Sequence, residues 1–102
     1  MPIYNKLVRD NIVDIIKSEG KSAQYKVLSD SDYKNALLDK LIEEANEFKK
    51  EQNIEEFCDV LEVLEAIKNE YKFLKRNIEE TKNKKAILKG KFNKKLFLIS
   101  VK

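Results

Sequence analysis

Histidine is absent from this 102-residue chain, and cysteine occurs only once. Without histidine, neither a Cys–His nucleophile nor a Ser–His–Asp triad can form, and a histidine-bearing zinc site is also excluded. The single Cys58 cannot form a disulfide within the chain, which favours a reducing compartment. We therefore expect a cytoplasmic protein.

Chain breakers and long apolar runs are equally scarce. Two glycines and one proline favour long helices. No apolar run approaches the roughly 18 residues of a membrane-spanning helix, and no secretory signal is visible, so we expect no membrane partner. A Gly-rich phosphate loop is also missing, so any nucleotide must be held through a metal and side chains.

Charge is abundant but nearly balanced. Charged residues make up 38% of the chain, and 21 basic against 18 acidic residues give a net charge of +3. This balance does not demand a nucleic-acid partner, and we expect none. Residues 39–70 are acid-rich, whereas residues 72–102 are strongly basic. A chain of this length buries only a modest core, so we expect a homo-oligomer, a dimer or larger.

Helical periodicity dominates the pattern of apolar residues. It predicts four helices, at about 8–18, 30–51, 54–72 and 74–89. Gly20 and Gly90 are the expected C-terminal caps, and Gln52-Asn53 is a short break at which the chain folds back or kinks. Two β-favouring runs, 23–28 and 95–101, predict a small two-stranded ribbon. The expected fold is mainly α, an antiparallel helical hairpin or bundle of about four helices with this β ribbon.

The acidic residues of the central helices occupy unusual positions. On the second predicted helix, Glu44 borders the apolar stripe, about 90° from its middle, and Glu47 follows one turn later. On the third, Glu56 falls inside the apolar arc and Asp59 lies just past its edge. A carboxylate directed towards a helix–helix seam is costly unless something neutralises it.

If the chain folds back between these helices, the acidic pairs converge and form an oxygen-only cage. The predicted metal ligands are Glu44, Glu47, Glu56 and Asp59. Carboxylates of this kind suit Mg²⁺, with Mn²⁺ as a second candidate, rather than Zn²⁺. Acidic runs on helices are more often solvated faces, and that is the competing interpretation.

The acidic pattern also resembles a known family. E-E-A-N-E at 43–47, followed by E-F-C-D at 56–59, is similar to the E-E-x-x-E … E-x-x-D signature of the MazG-like, all-α nucleoside triphosphate pyrophosphohydrolases. Y-N-K-L-V-R-D at 4–10 and K-G-K-F-N-K-K-L-F-L at 89–98 resemble the two ends of the phosphoribosyl-ATP pyrophosphohydrolase-like branch. The usual tail has two glycines before the phenylalanine, whereas here Lys91 follows Gly90. The length of the chain predicts one domain, and the resemblance implies that residues 1–102 form a MazG-like pyrophosphohydrolase domain.

The resemblance further implies Mg²⁺-dependent cleavage of a nucleoside triphosphate between its α and β phosphates, non-standard nucleotides included. Glu43 would orient the attacking water or add a metal ligand. The candidates to neutralise phosphate charge are Lys6, Arg9, Lys40 and Lys91. One alternative is phosphoribosyl-ATP hydrolysis proper; another is a non-catalytic helical module that dimerises through Val60, Leu64, Ile67 and Tyr71. Tyr4 and Tyr33 are left open between stacking on a base and the commoner packing in a core or interface.

Overall fold

The computed structural model describes residues 2–102 and contains four α-helices in that range. They are α1 (Ile12–Ser18), α2 (Asp30–Glu51), α3 (Ile54–Glu70) and α4 (Lys75–Lys89). The mainly α architecture is thereby confirmed. The chain divides into two compact units, the first ending at Tyr71 and the second covering Lys72–Lys102. Within residues 2–102, no helix combines the length and the apolarity needed to cross a bilayer.

Helices α2 and α3 pack against each other as an antiparallel hairpin. Next to the turn, the rings of Phe48 and Phe57 meet edge-on, with centroids 5.8 Å apart and planes at 61°. At the open end, Lys34 Nζ lies 5.3 Å from the centroid of the Tyr71 ring. The predicted fold-back between the two helices is therefore confirmed.

The core of the hairpin is small. Among residues 2–102, the two buried apolar side chains are Leu37 on α2 and Val63 on α3, which are 2% and 8% exposed. Many other apolar side chains of the hairpin stay partly open to solvent, Leu64 at 44% among them. The hairpin alone thus leaves much apolar surface in water.

The hairpin turn is built from two residues that cap the helices on either side. Gln52 adopts the left-handed conformation, with φ of 52°, and its backbone N–H donates to the Phe48 carbonyl at 2.8 Å. Asn53 caps α3, because its Oδ1 accepts from the backbone N–H of Glu56 at 2.9 Å. These caps satisfy helix-end groups that would otherwise lack partners, so the break stays only two residues long.

The start of α2 agrees with the predicted one. Ser29 Oγ accepts a hydrogen bond from the backbone N–H of Asp32 at 3.2 Å. Asp30 and Asp32 lie in the first turn, and Lys49 and Lys50 lie in the last. Acidic groups at the N-terminus and basic groups at the C-terminus both favour the helix dipole.

Helix α1 is shorter than predicted. It begins at Ile12 rather than Val8, after a turn in which the Ile12 N–H donates to the Arg9 carbonyl at 3.1 Å. Val8 is 41% exposed, so its side chain gives little packing that would extend the helix. The end is as predicted, since Gly20 has φ of 78° and donates to the Lys17 carbonyl at 3.0 Å.

The predicted β ribbon is wrong. No strand occurs in residues 2–102, and the runs 23–28 and 95–101 are irregular. Their apolar side chains are largely in solvent, with Val27 at 91% and Ile99 at 89% exposure. A two-stranded ribbon needs an apolar face to pack on, and β propensity alone does not offset the entropy of ordering the chain.

The second unit holds the single helix α4. The predicted helix over residues 74–89 is confirmed to within one residue. Gly90, with φ of 78°, ends it and donates its N–H to the Ala86 carbonyl at 2.9 Å. Ile87 and Leu88, near its end, are both 83% exposed.

Candidate metal site

Three carboxylates from the two helices of the hairpin come together at one point. Glu44 lies on α2, and Glu56 and Asp59 lie one turn apart on α3. Each offers an oxygen, and these oxygens all lie within 4.8 Å of one another. All three residues are half-buried. The convergence of acids predicted from the helical angles is thus present for three of the four residues.

The donor set fits a hard divalent cation. Mg²⁺ takes oxygen ligands at about 2.0–2.1 Å in octahedral geometry, so neighbouring oxygens on one ion lie about 3 Å apart and opposite ones about 4.2 Å apart. The three oxygens here lie within 4.8 Å of one another, so binding of one ion requires the side chains to draw closer together.

Glu47, the fourth predicted ligand, lies outside this group and is exposed. It lies three residues after Glu44 on α2, close to one helical turn, and its charge contributes to the raised pKa of Glu56. It is therefore within electrostatic reach of the site, and its role as a ligand stays a prediction.

Arg9 reaches the site from the segment before α1. Its Nη2 donates to Asp59 Oδ1 at 2.7 Å, across 50 positions of sequence. Arg9 is 58% exposed and Asp59 39%, so the pair is open to solvent on one side. A guanidinium that can release a carboxylate without large cost is also free to bind a phosphate oxygen.

Two lysines form ion pairs with the acidic side chains of α2. Lys40 Nζ lies 3.2 Å from Glu44 and 3.4 Å from Glu43, and the Lys40 side chain is only 15% exposed. Lys6 Nζ reaches Glu43 from the N-terminal segment at 3.3 Å. Of the cations predicted to neutralise phosphate charge, Arg9 and Lys40 therefore pair with members of the acidic group, and Lys6 pairs with the adjacent Glu43.

The two lysines set the charge state of Glu43, the predicted catalytic residue. Partial burial tends to raise its pKa, but the hydrogen bond from Lys6 and the charge of Lys40 outweigh that effect. The pKa of Glu43 is consequently lowered, and the group is a carboxylate at neutral pH. A carboxylate can accept a hydrogen bond from water, which the predicted role requires.

Glu56 has the opposite environment. Partial burial raises its pKa, and the negative charges of Asp59, Glu47 and Glu44 raise it further. Within residues 2–102, no basic side chain forms an ion pair with Glu56. Removal of its proton is thus favoured when a positive charge enters the group.

Lys91, the fourth predicted phosphate contact, lies in the second unit, next to Gly90. Its role stays a prediction. The sequence alone missed the Arg9–Asp59 and Lys6–Glu43 pairs, which join distant segments. Periodicity gives no signal for such contacts, and the K-L-V-R-D resemblance was the one indication that Lys6 and Arg9 belong near the acids.

Comparisons with known proteins add no relative. No family model matches the sequence, and no curated protein or solved structure matches it either. The interpretation of the site therefore depends on the geometry of its carboxylates and on the sequence resemblance described above.

Proposed function

We propose that this chain is a Mg²⁺-dependent pyrophosphohydrolase of nucleoside triphosphates. The observation that carries the proposal is the convergence of Glu44, Glu56 and Asp59, whose oxygens lie within 4.8 Å of one another. Cationic side chains at the edge of that group supply the second part of a phosphate site. The resemblance to MazG-like enzymes supports the same reaction.

The chain's own residues divide into ligands and phosphate contacts. Glu44, Glu56 and Asp59 would hold the cation, which would activate a water molecule and neutralise phosphate charge. Arg9 exchanges Asp59 for a phosphate oxygen, because its fork suits either partner. Glu43, ionised by its two lysines, orients the attacking water.

The reaction is a single displacement at phosphorus. The oxygen of water forms a bond to the α phosphorus while the bond from that phosphorus to the bridging oxygen breaks. The bridging oxygen leaves with the β and γ phosphates as pyrophosphate, and the products are a nucleoside monophosphate and pyrophosphate. Lys6 and Lys40, which pair with Glu43 and Glu44, would stabilise the charge that develops on the leaving group.

An assay of pyrophosphate release across a panel of nucleoside triphosphates tests the activity. We expect release with Mg²⁺ or Mn²⁺, none with EDTA, and a loss of roughly 100-fold or more for Asp59→Asn. Asp39→Asn, an exposed acid on α2 outside the group, is the matched control. Full activity of Asp59→Asn would remove the metal site from the proposal.

Labelled water tests which phosphorus is attacked. With ¹⁸O in the solvent, we expect the label in the nucleoside monophosphate and none in pyrophosphate. Label in free inorganic phosphate would mean that the terminal phosphate is removed instead, and the proposed bond cleavage would be wrong. Including phosphoribosyl-ATP in the same panel separates the branch's named activity from a broader one.

A second candidate function is a helical interaction module, and exposed apolar side chains on the hairpin favour it. Leu64 and Tyr71 of the predicted dimer seam are 44% and 37% exposed, and Ile42 on α2 is 62% exposed. A second copy of the chain would cover this surface, so a homodimer or larger assembly is part of both proposals. Sedimentation or light scattering that gave a stable monomer would contradict it.

Thermal melts separate the module from the enzyme. A cation that binds only the folded protein stabilises it by about 2.7 kcal/mol at 100 times its dissociation constant. We expect a higher Tm with Mg²⁺ or Mn²⁺ than with EDTA. An equal Tm with Mg²⁺, Mn²⁺ and EDTA would favour an interaction module without a metal site.

A further inference from the structure

A concavity lies in the first unit, beside the N-terminal segment. Its volume is about 310 Å³, at the lower end of small-molecule pockets. The residues that line it are Leu7, Asp10, Lys26, Val27, Leu28 and Tyr33. None of these belongs to the acidic group described above, and the proposed chemistry leaves the cavity unused.

Residues 6–10 contribute side chains both to the ion pairs near the acidic group and to the lining of the cavity. Lys6 and Arg9 extend to Glu43 and Asp59. Leu7 and Asp10, each the next residue along, line the cavity instead. A ligand in the cavity would therefore lie against the same stretch of backbone that presents Arg9 to the candidate phosphate site.

The lining is suited to a flat polar ring. Tyr33 supplies an aromatic side chain, and Leu7 and Leu28 supply apolar contact; all three are half-buried. Asp10 and Lys26 add one hydrogen-bond acceptor and one donor. Neither forms an ion pair with another side chain in residues 2–102, so both are available to a ligand.

We propose that this cavity binds the base of the nucleotide and prefers a 6-oxopurine, as in guanine or hypoxanthine nucleotides. The proposal rests on the proposed function, because it names the substrate class of the same site. The ring N1–H of a 6-oxopurine, with the amino group in guanine, donates to the Asp10 carboxylate. The carbonyl at C6 accepts from the Lys26 ammonium, and Tyr33 stacks on the ring.

Adenine offers the reverse pattern. Its N1 is an acceptor, which would face the Asp10 carboxylate lone pairs, and its C6 amino group is a donor, which would face the Lys26 ammonium. Cytosine offers an amino group to Asp10 but only one ring for Tyr33 to cover. The donor and acceptor placed in the cavity thus discriminate between purines, and the aromatic face discriminates by ring size.

Binding of nucleoside monophosphates to the metal-free protein tests the inference without any need for turnover. With EDTA present, calorimetry or NMR titration compares GMP, IMP, AMP and CMP. We expect GMP and IMP to bind roughly 10-fold tighter than AMP and CMP. Tyr33→Ala should weaken all four by roughly 10-fold, whereas Tyr33→Phe should bind as the parent does.

Asp10→Asn is the decisive variant. It should erase the preference for GMP and IMP over AMP, whereas Asp14→Asn, an exposed acid on α1 outside the cavity, should keep it. Equal binding of the four nucleotides by the parent, or a preference that survives Asp10→Asn, overturns the inference even if pyrophosphate is still released. The expected preference without any Mg²⁺-dependent turnover supports the base site and overturns the proposed reaction instead.

Discussion

Glu43 and Glu56 lie on the two helices of one hairpin, yet their pKa values move in opposite directions. Partial burial tends to raise the pKa in both cases. At Glu43, Lys6 and Lys40 reverse the effect, and the pKa falls below its ordinary value. At Glu56, the nearest charges are the carboxylates of Asp59, Glu47 and Glu44, and the pKa rises.

The difference shows that neighbouring charges, not residue type, set the direction of each pKa shift. Glu43 has its counter-charges in the protein and is suited to accept a hydrogen bond as a fixed carboxylate. Glu56 has none among the ion pairs of residues 2–102, so it gains most from an added cation.

The largest effect is expected from substitution of Glu56. Glu56→Gln removes one of the three converging carboxylates proposed to hold the cation, so the proposed Mg²⁺-dependent pyrophosphate release should fall by roughly 100-fold or more. Titration with Mn²⁺ should show a similar weakening of metal binding. The measurement is kcat/KM together with the Mn²⁺ dissociation constant.

Glu55→Gln is the matched control for that variant. Glu55 lies in the same first turn of α3 but is exposed and outside the acidic group. It should keep near-parental activity and metal affinity. Equal losses in both variants would point to the helix end rather than to the converging ligands.

The next effect concerns the competing cation at Asp59. Arg9→Gln should tighten metal binding by up to about 5-fold, because an exposed positive charge close to the ligands is lost. The same variant should raise KM for the nucleotide by roughly 10-fold, since a charge-assisted contact to phosphate is worth about 1.5–3 kcal/mol.

Tighter metal binding together with a higher KM for the nucleotide distinguishes this double role of Arg9 from a purely structural one. Arg76→Gln, in the second unit, removes the same charge far along the sequence and serves as the control. If Arg9→Gln left KM unchanged, Arg9 would be only a structural partner of Asp59.

The helices could be predicted from sequence because their signals are local. Ser29, Asn53 and Gly90 act within three or four residues, and the apolar period shows which face turns inward. The β ribbon could not be predicted, because strand formation depends on packing partners that a β-favouring run does not specify. The helix start predicted at Val8 was wrong for a similar reason, because the apolar side chain of Val8 is not buried.

The acidic group was predictable only in part. Glu56 and Asp59 follow from helical angles once the chain folds back, and so does Glu44. Which bases neutralise the acids was not predictable, because Arg9 meets Asp59 across 50 positions. Lys40 is the exception, because it pairs with Glu43 and Glu44 one helical turn away on the same helix.

A smaller effect is expected at the turn that brings the two acids into one hairpin. Asn53→Ala removes the cap of α3 and should cost about 1 kcal/mol of stability. For a domain of this size, that lowers Tm by about 4–8 °C. Asn46→Ala, in the middle of α2 and exposed, should instead be neutral or slightly stabilising, because alanine favours helix interiors. Equal Tm losses would mean that the cap does not hold the turn.

The smallest and most diagnostic effect is the pH dependence of stability with EDTA present. A lowered pKa means that Glu43 contributes stability above the ordinary glutamate value of 4.5, and that this is lost as pH falls through its folded pKa. A raised pKa means that ionised Glu56 destabilises the fold above its folded pKa, and that the penalty vanishes below 4.5. Chemical denaturation of Glu43→Gln and Glu56→Gln across acid to neutral pH measures both.

At neutral pH, Glu43→Gln should be less stable than the parent by up to about 1 kcal/mol, since its ion pairs are partly exposed. Glu56→Gln should be more stable than the parent at the same pH. The Glu56→Gln difference should disappear as the pH falls from above the folded pKa of Glu56 to 4.5, whereas the Glu43→Gln difference should disappear only below 4.5, as the pH falls through the lowered pKa of Glu43. Differences of the same sign in the two variants would show that burial, and not the neighbouring charges, controls both carboxylates. The contrast between the two helices would then have no electrostatic basis.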